Sequence, residues 1–301
     1  MRTAGIDIGG TKIEVQLFDE DWSEVGRRRI ATPASYDDLV SAVVAQIKWA
    51  EEQAGRPIAV GIGAAGLVNP RSGLALTANL PATGQPFPTD ITEGAGRPIT
   101  YVNDCRALAL SEAVFGAGQD KRTVMSLILG TGVGGGIAVD KSILQGPTAM
   151  GGEFGHTAAA AHVVNAHNLP LWQCGCGRTG CIETFIAGPG LARLAKHLTG
   201  QDVTPAEIAA QRKGAMAQVW SIWCAFVGEF IHMLTLTADP DVIVLGGGLS
   251  KIEGITADMM QAAKAAQIGD FDVPQIVLAK GGDASGARGA AYAAWQAQSN
   301  E

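Results

Sequence analysis

The sequence predicts an α/β protein with two lobes of related design. Two segments share the pattern strand, glycine-rich turn, strand, and they begin about 120 residues apart. Predicted helices separate the other apolar strands, which is the alternation typical of α/β folds. With 47% apolar and 17% charged residues, the chain of 301 residues has the material for a large core. This composition excludes a disordered protein and a coiled coil.

The first pattern opens the chain. Ile6 and Ile8 begin an apolar strand, and the turn from Gly9 to Lys12 leads into residues 13–19, where apolar and polar residues alternate. A period of two is typical of a half-buried strand, so this turn joins two strands. The remaining predicted elements of this block are a helix at 36–55, strands at 58–62 and 99–102, a helix carrying 108–114, and a glycine-rich hinge at 116–118.

The second pattern follows that hinge. A buried strand is predicted at 124–129, a glycine turn at 130–136 and a returning strand at 137–139. Later, the apolar strand 242–245 is capped by three glycines, and residues 286–295 predict a closing helix. The pattern therefore occurs once on either side of the glycine-rich hinge.

Net charge and hydropathy argue against a nucleic-acid-binding protein, a secreted protein and a membrane protein. The formal net charge of −7, from 22 basic and 29 acidic residues, provides no positive field for nucleic acid. The first residues lack the apolar run of a signal peptide. The most apolar stretch, 215–238, contains Gln218, Glu229 and His232, so it predicts a buried helix rather than a membrane span. We expect a cytoplasmic protein without nucleic-acid or membrane partners.

The two glycine turns resemble the P-loop and the dinucleotide-binding motif in spacing, but neither turn is followed by the helix that those motifs require. The first has Thr11 before Lys12, whereas a P-loop needs lysine first and then opens a helix. The second matches G-x-G-x-x-G, yet a strand follows it instead of a helix. Both turns can still aim backbone N–H groups at phosphate, and each carries a hydroxyl, Thr11 or Thr131. We favour phosphate binding over plain tight turns.

Three cysteines indicate a metal site. Cys174, Cys176 and Cys181 are separated by glycines and can converge on one tetrahedral ion, whereas neighbouring cysteines in such a segment cannot readily form disulfides. The spacing leaves His156, His162 and His167 open as the fourth ligand. Three thiolates and one histidine close the coordination shell, so we expect structural zinc.

Several acidic residues are candidates for chemistry. Asn103 and Asp104 lie where a strand gives way to a helix, which suits a catalytic carboxylate or a simple N-cap. Arg106 beside them is expected to be solvated or paired. Glu153 and Glu183 flank the metal ligands, and they either bind sugar hydroxyls or are supporting or surface acids.

Taken in order, these motifs resemble one family, the ROK (repressor, ORF, kinase) family of sugar kinases. The resemblance spans the chain and rests on Asp7–Lys12, Asn103-Asp104, Gly130–Gly136, Glu153–His156, Cys174–Glu183, Gly246–Ser250 and Gly282–Ala291. It implies a two-lobed actin/hexokinase-like (ribonuclease H-like) fold with a zinc-stabilised loop in the larger lobe. The implied smaller lobe is 1–117, with a C-terminal helix of about 289–301 packing back on it, and the larger lobe is 118–288.

The resemblance also implies roles for single residues. ATP phosphates and Mg²⁺ lie by Asp7, Gly9, Gly10, Thr11 and Lys12, and by Gly130, Thr131, Gly132 and Gly134, while Gly247 lies near the adenosine. The implied sugar contacts are Gly66, Asn79, Asn103, Asp104, Glu153, His156 and Glu183. Asp104 is implied as the general base, and His156 as the fourth zinc ligand beside its sugar contact.

The implied activity is ATP-dependent phosphorylation of a hexose or N-acetylhexosamine. The long stretch between His156 and Cys174 resembles bacterial N-acetyl-D-glucosamine kinases, which make the 6-phosphate. Residues 182–185 and 84–87 resemble family fructokinases equally well, and a family glucokinase is a further alternative. A non-catalytic sugar-sensing regulator is the alternative of another class; for a repressor, we expect no room for a helix-turn-helix ahead of the first strand. The family often forms homodimers or homotetramers.

Overall fold

The computed structural model describes residues 2–282 and 285–299 and separates them into two compact units. Unit 1 contains residues 2–122, 136–151, 280–282 and 285–299, and unit 2 contains residues 123–135 and 152–279. The sequence-based division assigned 136–151 to the larger lobe, whereas their contacts group them with unit 1. Asp283 and Ala284, which belong to the motif 282–291, and the last two residues of the implied C-terminal helix lie outside the described residues.

Strands and helices alternate along the first part of the chain. They are β1 (Thr3–Ile8), β2 (Lys12–Phe18), β3 (Glu24–Ala31), α1 (Tyr36–Ala54), β4 (Ala59–Ala64), β5 (Leu67–Val68), β6 (Ala75–Leu76), α2 (Phe87–Ala95), β7 (Thr100–Asn103) and α3 (Asp104–Phe115). The predicted strands and helices of this block are all present.

Helices are more frequent in the second part. It contains β8 (Thr123–Leu129), β9 (Val133–Val139), β10 (Ser142–Ile143), α4 (Ala161–Ala166), α5 (Glu183–Ile186), α6 (Gly188–Thr199), α7 (Pro205–Ala210), α8 (Ala217–Ala238), β11 (Val242–Gly246), α9 (Ile255–Ala266), β12 (Gln275–Leu278) and α10 (Ser285–Ser299). Short 3₁₀ turns occur at Phe154–His156 and Gly248–Lys251.

The sheet of unit 1 places two predicted site segments at one edge. Its strand order is β3-β2-β1-β4-β7, with β1, β4 and β7 parallel and β2 antiparallel to β1. In the register, Ile8 pairs with Ala64 and Ala64 pairs with Asn103. Because parallel strands end at the same edge, Asp7 and Asp104 both lie at the carboxyl edge of this sheet, the usual position of ligands in α/β proteins.

The last helix packs on this sheet. A Cβ on Gly5 would lie 1.8 Å from the Ala287 carbonyl oxygen, and one on Gly61 would lie 1.8 Å from that of Ala290. Only glycine allows the backbone of α10 to come so near β1 and β4. Glu112, buried at the end of α3, accepts hydrogen bonds from the backbone N–H groups of Lys280 and Gly281 at 3.1 and 2.8 Å. The hydroxyl of Ser285, the first residue of α10, donates to Oε1 of the same Glu112 at 3.2 Å, so this carboxylate holds the start of the helix.

The core of unit 2 forms around its longest helix. Within unit 2, the parallel strands β8, β11 and β12 pair in the order β8-β11-β12. Helix α8 is long and apolar enough to cross a membrane by length and composition alone. It packs instead against α9, and its Trp223 and Phe226 are fully buried. This agrees with the predicted buried helix.

One predicted turn is shorter in the structure. Residues 130–136 were expected to form it, but β9 begins at Val133 and includes Gly134, Gly135 and Gly136. A Cβ on Gly135 would lie 2.4 Å from the Ser126 carbonyl oxygen. Gly135 and Gly136 therefore serve close packing within a strand, and the turn proper is 130–132.

Candidate active site

Thr32 holds the first glycine turn through two hydrogen bonds. The Gly9 N–H donates to the Lys12 carbonyl at 2.9 Å, which closes the turn. The Thr32 hydroxyl donates to the Gly9 carbonyl at 2.7 Å, while the Thr32 N–H donates to the Thr11 carbonyl at 3.1 Å. Gly10 and Thr11 are exposed at the tip. The turn is thus a rigid, accessible stretch of backbone, as a phosphate site requires.

Asn79 and Asp7 lie against neighbouring glycines. A Cβ on Gly10 would stand 2.9 Å from the Cβ of Asn79, which is itself exposed. A Cβ on Gly286, in the first turn of α10, would stand 3.0 Å from Oδ1 of Asp7. The structure therefore brings the predicted residues Asp7, Gly10 and Asn79 to one part of unit 1.

Asn103, rather than Asp104, caps α3. Its Oδ1 accepts hydrogen bonds from the N–H groups of Cys105 and Arg106 at 2.9 and 3.2 Å. Its Nδ2 donates to the carbonyl of Gly66 at 3.0 Å, in a loop where the φ of Gly66 is +104°. The simple reading of Asp104 as the N-cap is therefore wrong, and its carboxylate is available for another role.

Asp104 is the first residue of α3, and its surroundings change the pKa of its carboxyl group. Its Oδ1 accepts the Cys105 N–H at 2.8 Å. Burial raises the pKa of Asp104 above that of an ordinary aspartate, and this outweighs the lowering effect of that hydrogen bond. Burial and then the Asp104 charge also raise the pKa of Tyr101. A carboxylate with a raised pKa is a better proton acceptor than one on the surface.

Arg106 lies next to the candidate site, two residues after Asp104, and the sequence did not reveal its contacts. It is 5% exposed, and its guanidinium donates to the carbonyls of Gly151 at 3.1 Å and Ala149 at 2.5 Å. From the sequence, Arg106 was expected to be either solvated or paired. It is paired, and these partners are backbone carbonyls. Its position two residues after Asp104 was the available signal. Arg106 holds the segment that leads along the chain to Glu153.

The second glycine turn is fixed by two elements of unit 2. The Gly130 N–H donates to the Gly132 carbonyl at 3.0 Å, and the Gly188 N–H at the start of α6 donates to the Gly130 carbonyl at 2.8 Å. Oε2 of Glu183 accepts the Val133 N–H at 2.8 Å where the turn enters β9. Thr131 is exposed at the tip.

A groove of about 950 Å³ begins at this turn. Glycines at 130, 188 and 248, together with Thr131, line one end of it. The walls are mainly small or apolar: Pro189, Ala192, Pro205, Ala206, Ala209, Ala210, Leu249 and Ile252. Gly247, next to the lining residues, has φ +84°, and a Cβ there would lie 2.5 Å from the Leu129 carbonyl oxygen. The groove has the size and apolar walls of a small-molecule site.

His156 and three cysteines form a cluster of metal-binding atoms. The ligand atoms of His156, Cys174, Cys176 and Cys181 all lie within 4.8 Å of one another. Sγ of Cys174 is 3.6 Å from Nδ1 of His156, and Sγ of Cys176 is 3.7 Å from Sγ of Cys181. Two thiolates on one tetrahedral zinc ion, each at 2.3 Å, are about 3.8 Å apart, so the cluster fits that ion.

The other two candidate histidines lie elsewhere. Nε2 of His162 is 3.4 Å from a carboxylate oxygen of Glu229, and His167 is exposed. Burial raises the pKa of the Cys174 thiol to about 12 and raises that of Cys181. A hydrogen bond from the Arg178 backbone lowers the pKa of Cys176. A cation in this cluster has to displace thiol protons, as in other cysteine metal sites.

The two predicted acids of unit 2 stand on either side of the cluster in sequence. Glu153 is half-buried and precedes the 3₁₀ turn that carries His156, whose N–H donates to the Glu153 carbonyl at 3.1 Å. Glu183 begins α5, and its Oε1 accepts a hydrogen bond from Sγ of Cys174 at 3.3 Å. The structure thus joins Glu183 to the metal cluster and to the second glycine turn.

Each unit contains parallel strands and a glycine turn closed by backbone hydrogen bonds, and unit 1 adds a half-buried carboxylate at a helix start. These features define an α/β protein with two glycine turns and a carboxylate of raised pKa at the carboxyl edge of a sheet. The model of the ROK family matches residues 3–297. The chain belongs to the ROK family.

Named relatives cover nearly the whole chain. An N-acetylgalactosamine kinase of Shewanella sp. (strain ANA-3) is 40% identical over 95% of this chain and 94% of its own length. An N-acetyl-D-glucosamine kinase of Photobacterium profundum is 37% identical over 96% of this chain and 97% of its own. Among solved structures, a ROK hexokinase from Thermus thermophilus aligns with a TM-score of 0.88 and 28% identity, covering 100% of both chains. The fold is accordingly the two-lobed ROK sugar kinase fold.

Proposed function

We propose that this sugar kinase transfers a phosphoryl group from ATP to O6 of N-acetyl-D-glucosamine. The observation that carries the proposal is Asp104, a carboxylate with a raised pKa beside the helix cap Asn103 at the carboxyl edge of a sheet. Relatives that are named N-acetyl-D-glucosamine kinases, such as the one from Photobacterium profundum, support the choice of sugar. Kinase activity itself follows from the family and these relatives.

N-Acetyl-D-galactosamine is the second candidate substrate. A relative at 40% identity is named for that sugar, whereas the N-acetyl-D-glucosamine kinase described above is 37% identical. The two sugars differ only in the configuration at C4, so the same acetamido group and the same O6 are presented. Both candidates therefore share one mechanism.

Asp104 acts as the general base in the proposed reaction. It accepts the proton of the sugar O6 hydroxyl as that oxygen attacks the γ-phosphorus in line, and ADP leaves. Phosphoryl transfer depends on positioning and on electrostatic stabilisation of the transferring group. Asn103 caps the start of α3 and thereby keeps the carboxylate of Asp104 in place. The proposed sugar contacts of unit 1 are Asn103, Gly66, whose carbonyl accepts a hydrogen bond from Asn103, and Asn79.

Backbone groups hold the nucleotide in this proposal. In unit 1, Asp7, Gly9, Gly10, Thr11 and Lys12 bind phosphate oxygens and the Mg²⁺ that accompanies ATP. In unit 2, Gly130, Thr131 and Gly132 bind phosphate, and the groove that starts there takes the adenosine beside Gly247. Gly134 lies in β9, outside the shortened turn, so its proposed contact would come from the strand. Bound magnesium offsets the negative charge of the phosphates.

Zinc is the proposed occupant of the cysteine cluster, with a structural role. His156, Cys174, Cys176 and Cys181 supply a complete tetrahedral set and leave no position for a reacting water. A bound ion fixes the loop between His156 and Glu183. Glu153, His156 and Glu183 are the proposed sugar contacts on this side. We also propose that the enzyme works in the cytoplasm as a homodimer or homotetramer.

A sugar panel tests the proposal. We expect ATP-coupled turnover with the highest kcat/KM for N-acetyl-D-glucosamine among that sugar, N-acetyl-D-galactosamine, N-acetylmannosamine, glucose and fructose. A higher value for N-acetyl-D-galactosamine supports the second candidate, and a higher value for glucose or fructose contradicts the proposed sugar. Sugar binding without any turnover would instead indicate a non-catalytic sugar sensor.

A further inference from the structure

Glu183 makes two contacts that a sugar ligand does not need. Its Oε2 accepts the Val133 N–H at 2.8 Å, and its Oε1 accepts a hydrogen bond from Sγ of Cys174 at 3.3 Å. Val133 directly follows the second glycine turn as the first residue of β9, and Cys174 belongs to the metal cluster. A thiolate bound to a metal has no S–H to donate, so the hydrogen bond from the Val133 N–H is the contact that Glu183 keeps when the cluster is occupied.

The turn is built around this carboxylate. A Cβ on Gly132 would lie 2.6 Å from Oε2 of Glu183, so only glycine leaves room for the oxygen. Val133 is 4% exposed, which means that its N–H has little access to water if Glu183 is removed. A buried donor that loses its acceptor carries the full desolvation cost, and the turn relaxes to find another partner.

We propose that Glu183 is a positioning residue for the nucleotide, acting through the second glycine turn. Its Oε2 fixes the Val133 N–H, which holds Gly132 and Thr131 in the conformation that aims their backbone at phosphate. Its Oε1 lies 3.3 Å from Sγ of Cys174, so the same carboxylate stands next to the metal cluster. The effect on ATP rests on the proposed function, whereas the hydrogen bond between Glu183 and Val133 does not.

Two substitutions separate this role from a plain sugar contact. Glutamine in Glu183→Gln keeps an oxygen that accepts the Val133 N–H and offers an N–H₂ group to the Cys174 sulfur. Alanine in Glu183→Ala removes both contacts. Gly132→Ala leaves Glu183 in the chain but forces its carboxylate away from the turn. Glu229→Ala is the matched control, because Glu229 lies in the same unit and contacts His162 instead.

Amide hydrogen exchange of the segment 130–139 is the primary measurement, made on samples of equal zinc content. We expect faster exchange at Val133 in Glu183→Ala and Gly132→Ala, and exchange like that of the parent protein in Glu183→Gln and Glu229→Ala. Calorimetric Kd values for a non-hydrolysable ATP analogue should rise about tenfold or more in the first pair and stay unchanged in the second.

A different pattern overturns the proposal. If Glu183→Ala raises only the sugar KM, with Val133 exchange and the Kd for the ATP analogue unchanged, Glu183 is a sugar contact alone. If Glu183→Gln behaves like Glu183→Ala, the hydrogen bond from the Val133 N–H to the side-chain oxygen is not what orders the turn. Because exchange at Val133 needs no turnover, these outcomes can be read even if no sugar is phosphorylated and the proposed function fails.

Discussion

Replacement of Asp104 by asparagine tests the general base through three separate quantities. The amide cannot accept the hydroxyl proton, so kcat should fall by about 10²–10⁴, the usual contribution of a general base. That loss corresponds to about 3–5 kcal/mol of activation free energy. The amide keeps the size and an oxygen acceptor for the Cys105 N–H, so the sugar KM should change much less than kcat.

The pH dependence follows from the raised pKa of Asp104. The base must be ionised, so kcat/KM of the parent enzyme should fall with decreasing pH at a higher pH than an ordinary aspartate would give. Stability has the opposite dependence. A carboxyl whose pKa is raised by folding stabilises the protein fully only below its unfolded pKa, about 3.9, and this contribution is lost as pH rises through the folded pKa. Asp104→Asn should therefore melt higher than the parent at neutral pH.

The assay compares Asp104→Asn with Asp140→Asn, because Asp140 is an exposed aspartate of the same unit that contacts Arg122. Initial rates, sugar KM and Tm are measured between acid and neutral pH for both variants and the parent. The control should match the parent in all three. Normal kcat in Asp104→Asn would refute the assignment of the base, and a lower Tm at neutral pH would refute the argument that burial dominates its pKa.

Three further predictions concern the metal cluster, the core and the first turn. Cys176→Ser should lose bound zinc, lower Tm and raise the sugar KM, measured by metal analysis and kinetics; full activity without metal would contradict the structural role. Glu112→Ala removes the acceptor of the Lys280 and Gly281 N–H groups and of the Ser285 hydroxyl, and it should destabilise unit 1 by about 3 kcal/mol in urea unfolding, with Glu112→Gln less affected. Gly10→Ala puts a Cβ 2.9 Å from that of Asn79 and should raise the ATP KM, whereas Gly146→Ala, with nothing within 4 Å, should not.

Local spacing accounts for what the sequence predicted well. The strands of unit 1 follow from alternating or continuous apolar runs. Asp7 precedes Ile8 and Asp104 follows Asn103, and because Ile8 and Asn103 both pair with Ala64, the two acids lie at one edge of the sheet. The cysteine cluster was predictable because two thiolates separated by one glycine and a third five residues on can reach one ion without help from distant segments. Such signals are contained within ten residues of chain.

Long-range contacts account for what the sequence did not reveal. Arg106 binds carbonyls at residues 149 and 151, and Glu183 accepts the N–H of Val133, fifty residues earlier. Nothing near Arg106 or Glu183 in the sequence encodes those partners. The run 134–136 was read as turn because glycine favours turns, whereas in β9 its missing side chains let neighbouring backbone approach. A glycine alone does not distinguish these two uses.

The most direct test of the central claim is the identity of the product formed from ATP and N-acetyl-D-glucosamine. Phosphorus and proton magnetic resonance of the reaction mixture should show ADP and a sugar phosphorylated at O6 in equal amounts, with neither formed at a comparable rate by Asp104→Asn. Phosphate at another hydroxyl, or ADP released without a sugar phosphate, would contradict the account.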